Sequence, residues 1–319
     1  MKHLPLSKEQ SFQQPATSAT SAGYPVQNHG LQAAALNLPG RELRRTRKKR
    51  RISLMTLAVY LVVLIALVCY LYPLLYLVNI SLKTLIGYIS DPVGLTKTLN
   101  WQSYVDAWVQ GDFSTYLVNT LFYALAATVI SVLSAVFLAF PVARGYVKGS
   151  RFWYMLFVIS LFLPSGLIPQ FQLILHIGLY NTQIGYILLS AGTGLGPFLI
   201  IGYLRSLPKE LDEAAAIDGC GYFRYIWTVV IPLARPVIVT AAILQMIGIW
   251  NDIIGPTIYL SDPSYYPVSL GLFNFYGNYG NQWSTLAAAT LIVAAPLVII
   301  YIVLQRYIID GAIAGAVRG

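Results

Sequence analysis

Residues that could do chemistry are sparse in this chain of 319, where only 10% are charged and 57% are hydrophobic. No paired acids, metal-ligand cluster or nucleophile elbow falls in or near the apolar stretches. The phosphate-cradling pattern G-x-x-x-x-G-K-[ST] is missing too. Cys69 and Cys220 lie in different segments and make neither a metal motif nor a disulfide framework. His176 stands alone. Catalytic residues, metal ligands and a cofactor are therefore not expected in this chain. One stretch differs from the rest: Arg205-Ser-Leu-Pro-Lys-Glu-Leu-Asp-Glu-Ala-Ala-Ala-Ile-Asp-Gly219, continuing to Ile231-Pro232. It is polar, mixed in charge and set between two apolar runs. Pro208 suits the first turn of a helix. Glu210, Asp212 and Glu213 follow where the positive end of the helix dipole favours acids. Gly219 is placed to end that helix. Ala214, Ala215 and Ala216 offer a small-residue face that a partner could approach closely. Tyr222 to Val230 forms a second helical piece, closed by Pro232.

Such a loop needs rigid elements on both sides. A soluble domain carries about 25% charge, so this composition does not supply a soluble surface, and the mean hydropathy of +0.64 agrees. A bilayer core about 30 Å thick takes ~20 apolar residues as helix. Six segments qualify: Leu54–Ile80, Tyr116–Phe140, Phe152–Leu173, Gln183–Leu204, Pro236–Tyr259 and Thr285–Ile309. Each must be helical, because lipid gives the backbone no hydrogen-bond partner. The expectation is an all-α integral membrane protein with six transmembrane helices and a cytoplasmic helix between the fourth and fifth. With the N-terminus inside, 19 of the 21 Lys and Arg are cytoplasmic and only Lys83 and Lys97 are external, as the positive-inside rule requires. Both termini are then cytoplasmic. The net charge of +9 is explained by membrane topology, and nucleic-acid binding is not expected.

Three regions follow. Residues 1–51 are a cytoplasmic tail, largely disordered by composition, ending in the basic run Arg41–Arg51 that flanks the first span. Residues 52–114 hold the first span and an external loop. Residues 115–319 hold the remaining spans, the loop 205–235 and a Gly-rich tail. Pro73, Pro164, Pro169, Gly192, Gly194, Gly196, Pro197 and Pro296 interrupt the spans, either as bundle packing or around a lined path. Asn119, Gln245, Asn251 and Asp252 are the candidate polar residues of that path, with Gln170 and Gln172 beside them. The alternative for the amides is hydrogen bonding between helices. Asp252, placed near the external end of the fifth span, is a functional candidate as a membrane acid, or an interfacial hydrogen-bonding residue.

The loop resembles the cytoplasmic signature of permease subunits of binding-protein-dependent ABC importers: Glu-Ala-Ala, three residues, Gly, nine residues, Ile-x-Leu-Pro. Here it reads Glu213-Ala214-Ala215, Gly219 and Val229-Val230-Ile231-Pro232, with Val for Ile and Ile for Leu. Tyr116-Leu-Val-Asn-Thr120 resembles the opening of the permease core. Trp250-Asn251-Asp252 resembles the Trp-Asn-acid element of carbohydrate-uptake permeases. The tail Asp310–Gly319 resembles the Gly-rich end of the maltose-type (MalG-like) second permease. The similarity covers residues 52–319.

The resemblance implies a non-catalytic transport subunit in a bacterial or archaeal cytoplasmic membrane. Its partners would be a second homologous permease, two ATPase subunits, an extracytoplasmic solute-binding protein and the lipid bilayer. Its solute would be a carbohydrate. ATP and Mg would sit on the ATPase subunits, and Glu213, Ala214, Ala215, Gly219, Ile231 and Pro232 would form the coupling loop that docks on them. A secondary, ion-coupled transporter predicts more ionisable groups inside the spans. A membrane scaffold gives no reason for the signature, and a membrane enzyme has no visible site.

Overall fold

Apolar helices long enough to cross a bilayer dominate the computed structural model. Except at 165 and 193, it describes the backbone of residues 54–316 and the side chains of residues 55–303 and 305. The tail 1–51 with its basic run, and the side chains of the Gly-rich tail, lie outside the described residues. Ala58 onward forms one compact unit. In chain order the helices are α1 (Leu54–Ser81), α2 (Leu85–Ser90), α3 (Gln102–Gln110), α4 (Phe113–Arg144), α5 (Ser150–Ser160), α6 (Leu167–His176), α7 (Gln183–Ala191) and α8 (Gly196–Ser206). Then come α9 (Glu210–Ile217), α10 (Tyr222–Tyr225), a π-turn (Ile226–Val230), α11 (Ile231–Leu233), α12 (Arg235–Trp250), α13 (Ile254–Tyr259), a 3₁₀ turn (Pro263–Tyr265), α14 (Val268–Tyr279) and α15 (Trp283–Ala316). The described residues contain no strand.

Four stretches are long and apolar enough to cross a membrane: Met55–Ser81, Phe113–Arg144, Gln183–Ser206 and Trp283–Val303. A fifth is counted if Tyr222–Leu233 and Arg235–Trp250, bent by 82°, make one span. Three of the six expected segments are divided: Gln183–Leu204 into α7 and α8, which still run on as one apolar stretch, and two others that do not. Phe152–Leu173 divides into α5 and α6. Pro164 lies in the gap, where it removes a backbone donor and disfavours the helical conformation of the residue before it. Pro236–Tyr259 stops at Trp250 and resumes as α13. The cause is local: the Asp252 carboxylate accepts the Gly255 N–H at 3.0 Å and so starts α13 as a side-chain cap in place of another helical turn.

The packing centres on α4, a 32-residue helix that touches α3, α5, α7, α8, α12 and α14. Its buried face mixes large side chains such as Tyr123 and Phe140 with small ones, among them Ala124, Ala127, Ala135 and Ala139. Small residues let helix backbones approach closely where lipid offers no hydrophobic driving force. A Cβ at Gly196 of α8 would already meet Ala135 at 3.5 Å. By contrast α1 is apolar on every face and almost wholly exposed, which leaves its surface for lipid or a partner chain.

Candidate functional site

The first element of the site is the interhelical loop. Leu207 is extended (φ −78°, ψ 140°), as the residue before Pro208 must be. Pro208 therefore lies just ahead of α9, whose first helical residue is Glu210, and not in its first turn. The three acids occupy that turn. At the other end Gly219 has φ +70°. Its N–H bonds to the Ala216 carbonyl (3.1 Å) and the Cys220 N–H reaches back to the Ala215 carbonyl (2.9 Å). This is a Schellman motif, which closes a helix with a left-handed residue that glycine adopts without strain. A Cβ at Gly219 would meet nothing within 4 Å, so the constraint is backbone conformation and not space.

The two faces of α9 differ. Asp212 is buried and Ala215 packs on the core cluster of Val136, Phe140, Leu204 and Tyr225. Glu210, Glu213, Ala214 and Ile217 share the outward face at helical spacing, and Ile217 is 86% exposed. The expected small-residue face of three alanines is therefore corrected: Ala215 turns inward, because a helix cannot present three consecutive residues on one side. Ile217 was missed. Its signal was an apolar side chain four residues after Glu213 on an otherwise polar helix.

Asp212 accounts for the inward face. Its carboxylate lies against Arg144 at the end of α4, with Nε–Oδ2 at 2.7 Å and side chains 3% and 7% exposed. The Nε–H is not aligned for a hydrogen bond, but Nη2 donates to Oδ1 at 3.1 Å. Arg144 also donates to the carbonyls of Leu207 (2.8 Å) and Pro208 (3.3 Å). The Tyr146 hydroxyl donates to Oδ2 at 3.1 Å, and the Tyr225 hydroxyl donates to Oδ1. Burial, and next the Asp212 carboxylate, push the Tyr146 phenol above its ordinary pKa, so it stays a donor. Sequence reasoning used Arg144 only for topology and Asp212 only for the helix dipole. Their pairing is 68 residues apart in sequence and had no local signal.

Beyond the loop, α10 widens into the π-turn and the chain bends at Ala234. Pro232 has no N–H to continue an α-helical ladder, and the Ile231 N–H bonds five residues back to Ile226. Ile231 packs against the same core cluster as Ala215, whereas Pro232 is exposed.

The second element is a cavity of about 510 Å³ between α6, α7, the segment just before α8, α12 and α13, within the ~300–1,000 Å³ range of small-molecule sites. Its polar lining is Gln170, Tyr186, Ser190, Gln245, Asp252 and Tyr259. The Tyr259 hydroxyl donates to Gln170 at 2.8 Å, and the Tyr186 hydroxyl donates to Asp252 Oδ2 at 3.2 Å. Gln245 donates to the Ser190 carbonyl at 2.8 Å. A Cβ on Gly194 would crowd the Gln245 Oε1 at 2.2 Å, and Gly194 itself has φ +129°, a conformation that favours glycine.

Of the four expected path residues, the structure brings Gln245 and Asp252 to this cavity. The other two lie elsewhere. Asn251 is exposed and bonds to Ile247 of its own helix at 2.8 Å. Asn119 is buried and donates to the carbonyls of Ser264 (2.8 Å) and Tyr266 (3.1 Å), clamping the segment before α14. Gln170, also a candidate from sequence, lines the cavity, and Tyr186 and Tyr259 join it.

Apolar helices long enough to cross a bilayer thus surround a polar cavity, and a short capped helix joins two of the apolar stretches. The chain belongs to the family of binding-protein-dependent transport system inner membrane components, whose model matches residues 121–312. It is a multi-pass inner-membrane protein. It is 32% identical over 250 residues to the probable starch degradation products transport system permease protein AmyC of Thermoanaerobacterium thermosulfurigenes, covering 76% of this chain and 89% of that protein. It is 28% identical over 252 residues to the melibiose/raffinose/stachyose import permease protein MelC of Bacillus subtilis strain 168, covering 77% and 91%. These relatives support a carbohydrate-uptake ABC permease. Among solved structures, a chain of a bacterial ABC transporter that imports the acidic polysaccharide alginate superposes with TM-score 0.71 at 23% identity, covering 81% of this chain and 98% of that one. This shows the shared fold.

Two predictions follow from the geometry. Asn119→Ala leaves two carbonyls without their donor and costs ~1–3 kcal/mol. Thermal unfolding in detergent should show a lowered midpoint, and an unchanged midpoint contradicts the clamp. Gly219→Val forces a side chain into a left-handed conformation and costs roughly 1–2 kcal/mol, while Gly219→Asn is tolerated. Limited proteolysis at the loop should distinguish the two; equal cleavage of both contradicts the reading of Gly219.

Proposed function

We propose that this chain is one of two permease subunits of an ATP-driven importer and forms half of the translocation path for a carbohydrate. The solute arrives from an extracytoplasmic binding protein. Two separate ATPase subunits carry ATP and Mg and drive the cycle. A second, homologous permease completes the path. The chain crosses the membrane six times with both termini cytoplasmic, α5–α6 and α12–α13 each completing a crossing as a broken span. Such breaks survive where neighbouring helices or a cavity satisfy the freed backbone groups.

The observation that carries this reading is the outward face of α9. Glu213, Ala214 and Ile217 stand exposed on a short helix capped at its end and anchored on its opposite face. A charged group beside a small residue and an exposed apolar one suits docking on a partner cleft, with Glu213 making a charge-assisted contact to a basic side chain. Gly219, Ile231 and Pro232 shape the loop and Ala215 seats it. ATP binding closes the ATPase pair and draws the two docked helices together, and the bundle switches from inward-open to outward-open. The two permease states must differ in their contact energy with the ATPases for this to occur.

The cavity supports the substrate reading. Amide, hydroxyl and carboxylate groups on Gln170, Tyr186, Ser190, Gln245, Asp252 and Tyr259 match a hydroxyl-rich solute. The relatives named for starch products and for melibiose, raffinose and stachyose favour a sugar. Which sugar is bound is a property of the complete complex.

Co-purification of ATPase subunits with the tagged chain tests the reading. The wild type should retain them, and Glu213→Lys should lose them or reduce their retention at least ten-fold. If neither chain brings down an ATPase, the importer assignment fails. Asp252→Ala, tested in the assembled complex, should weaken sugar-stimulated ATPase activity without releasing the ATPase. Undiminished stimulation by every sugar that stimulates the wild type would remove Asp252 from the path.

A further inference from the structure

The pair Arg144–Asp212 is the sole ion pair among the described residues, and it sits behind the docking face of α9. Five parts of the chain meet there. Arg144 ends α4, Tyr146 lies in the turn after it, and Leu207 and Pro208 follow α8. Asp212 belongs to the first turn of α9, and Tyr225 ends α10. An apolar contact of the same volume holds elements together as well as a buried ion pair, and often better. A planar guanidinium set side-on to a carboxylate adds direction: it fixes how the two elements are oriented, not merely that they touch.

The neighbours in sequence are also informative. Asp212 and Glu213 are adjacent, so their side chains leave α9 about 100° apart. Asp212 points into the bundle, and Glu213 stays outside. A force on the outward face therefore acts directly on the carboxylate that grips α4. That helix runs on past α8, α7 and α12, the last two of which line the cavity.

We infer that Arg144, Asp212, Tyr146 and Tyr225 form a latch that transmits movement of α9 into α4 and α8, and so couples the partner's nucleotide cycle to the cavity. They are positioning residues, distinct from the outward residues that meet the ATPase. The inference rests on the importer reading given above.

A labelling experiment separates transmission from mere stability. Gly248 lines the cavity, and a side chain added there meets nothing within 4 Å. Gly248→Cys, in a background with Cys69→Ser and Cys220→Ser, reports cavity access through its rate of reaction with a small maleimide. The complete complex, with its ATPase and binding protein, is labelled with and without ATP–Mg and orthovanadate. With the latch intact, the rate should change at least five-fold on trapping. With Asp212→Asn or Arg144→Lys the ATPase should remain bound, but the change should fall below two-fold. A wild-type-sized change in these variants overturns the latch, while loss of the ATPase in Glu213→Lys keeps the importer reading intact. If the intact complex shows no change on trapping although the ATPase co-purifies, the latch is overturned and the importer reading stands. Should the charge variants fail to accumulate, Tyr225→Phe, which keeps the ion pair, decides. It should reduce the change at least two-fold, and an unaltered response overturns the proposal.

Discussion

A guanidinium and a carboxylate, both buried at the end of α4, hold the interhelical loop to the bundle. Neither charge is tolerable alone in that position, since an unpaired buried ion is strongly destabilising. Their pairing therefore constrains everything around them. The chain must leave α8 in an extended conformation so that two carbonyls face Arg144, and α9 must start within reach of it. The tyrosines on either side complete the carboxylate's hydrogen bonding. With that end fixed and Gly219 closing the other, the outward face of α9 is set without any partner present.

The cavity rests on a second constraint of the same kind. Polar groups among apolar helices must find partners, and those of the cavity find them in one another. Asp252 starts α13 with one oxygen and accepts Tyr186 with the other. Gln245 spends an amide proton on Ser190. The break after Trp250 and the cavity thus have one cause, because the residue that interrupts the helix also lines the space.

Length and composition made the long spans legible. α1, α4, the α7–α8 stretch and α15 stand out because nothing interrupts their apolar runs strongly enough. The loop helix was legible from its acids, its Gly219 and the proline ahead of it, each a local signal with a local cause. The break in the third segment was marked by Pro164, but the one after Trp250 was not. Hydropathy averages over about twenty residues, whereas Asp252 acts through a single hydrogen bond. Polar residues in spans were equally ambiguous. Asn119 and Gln245 look alike in sequence, yet one clamps a loop and the other borders the cavity, because that depends on which backbone carbonyl lies opposite. The partnership of Arg144 and Asp212 required the fold itself.

The central claim is that α9 meets a partner with one face while the other is held by the bundle. Cysteine cross-linking to a co-expressed ATPase subunit tests it most directly, with Cys69 and Cys220 replaced by Ser. Cysteines at Ala214 and Ile217 should cross-link to the ATPase, and a cysteine at Ala215 should not. Cross-linking from Ala215 equal to that from Ile217, or none from Ala214 and Ile217, would contradict the account.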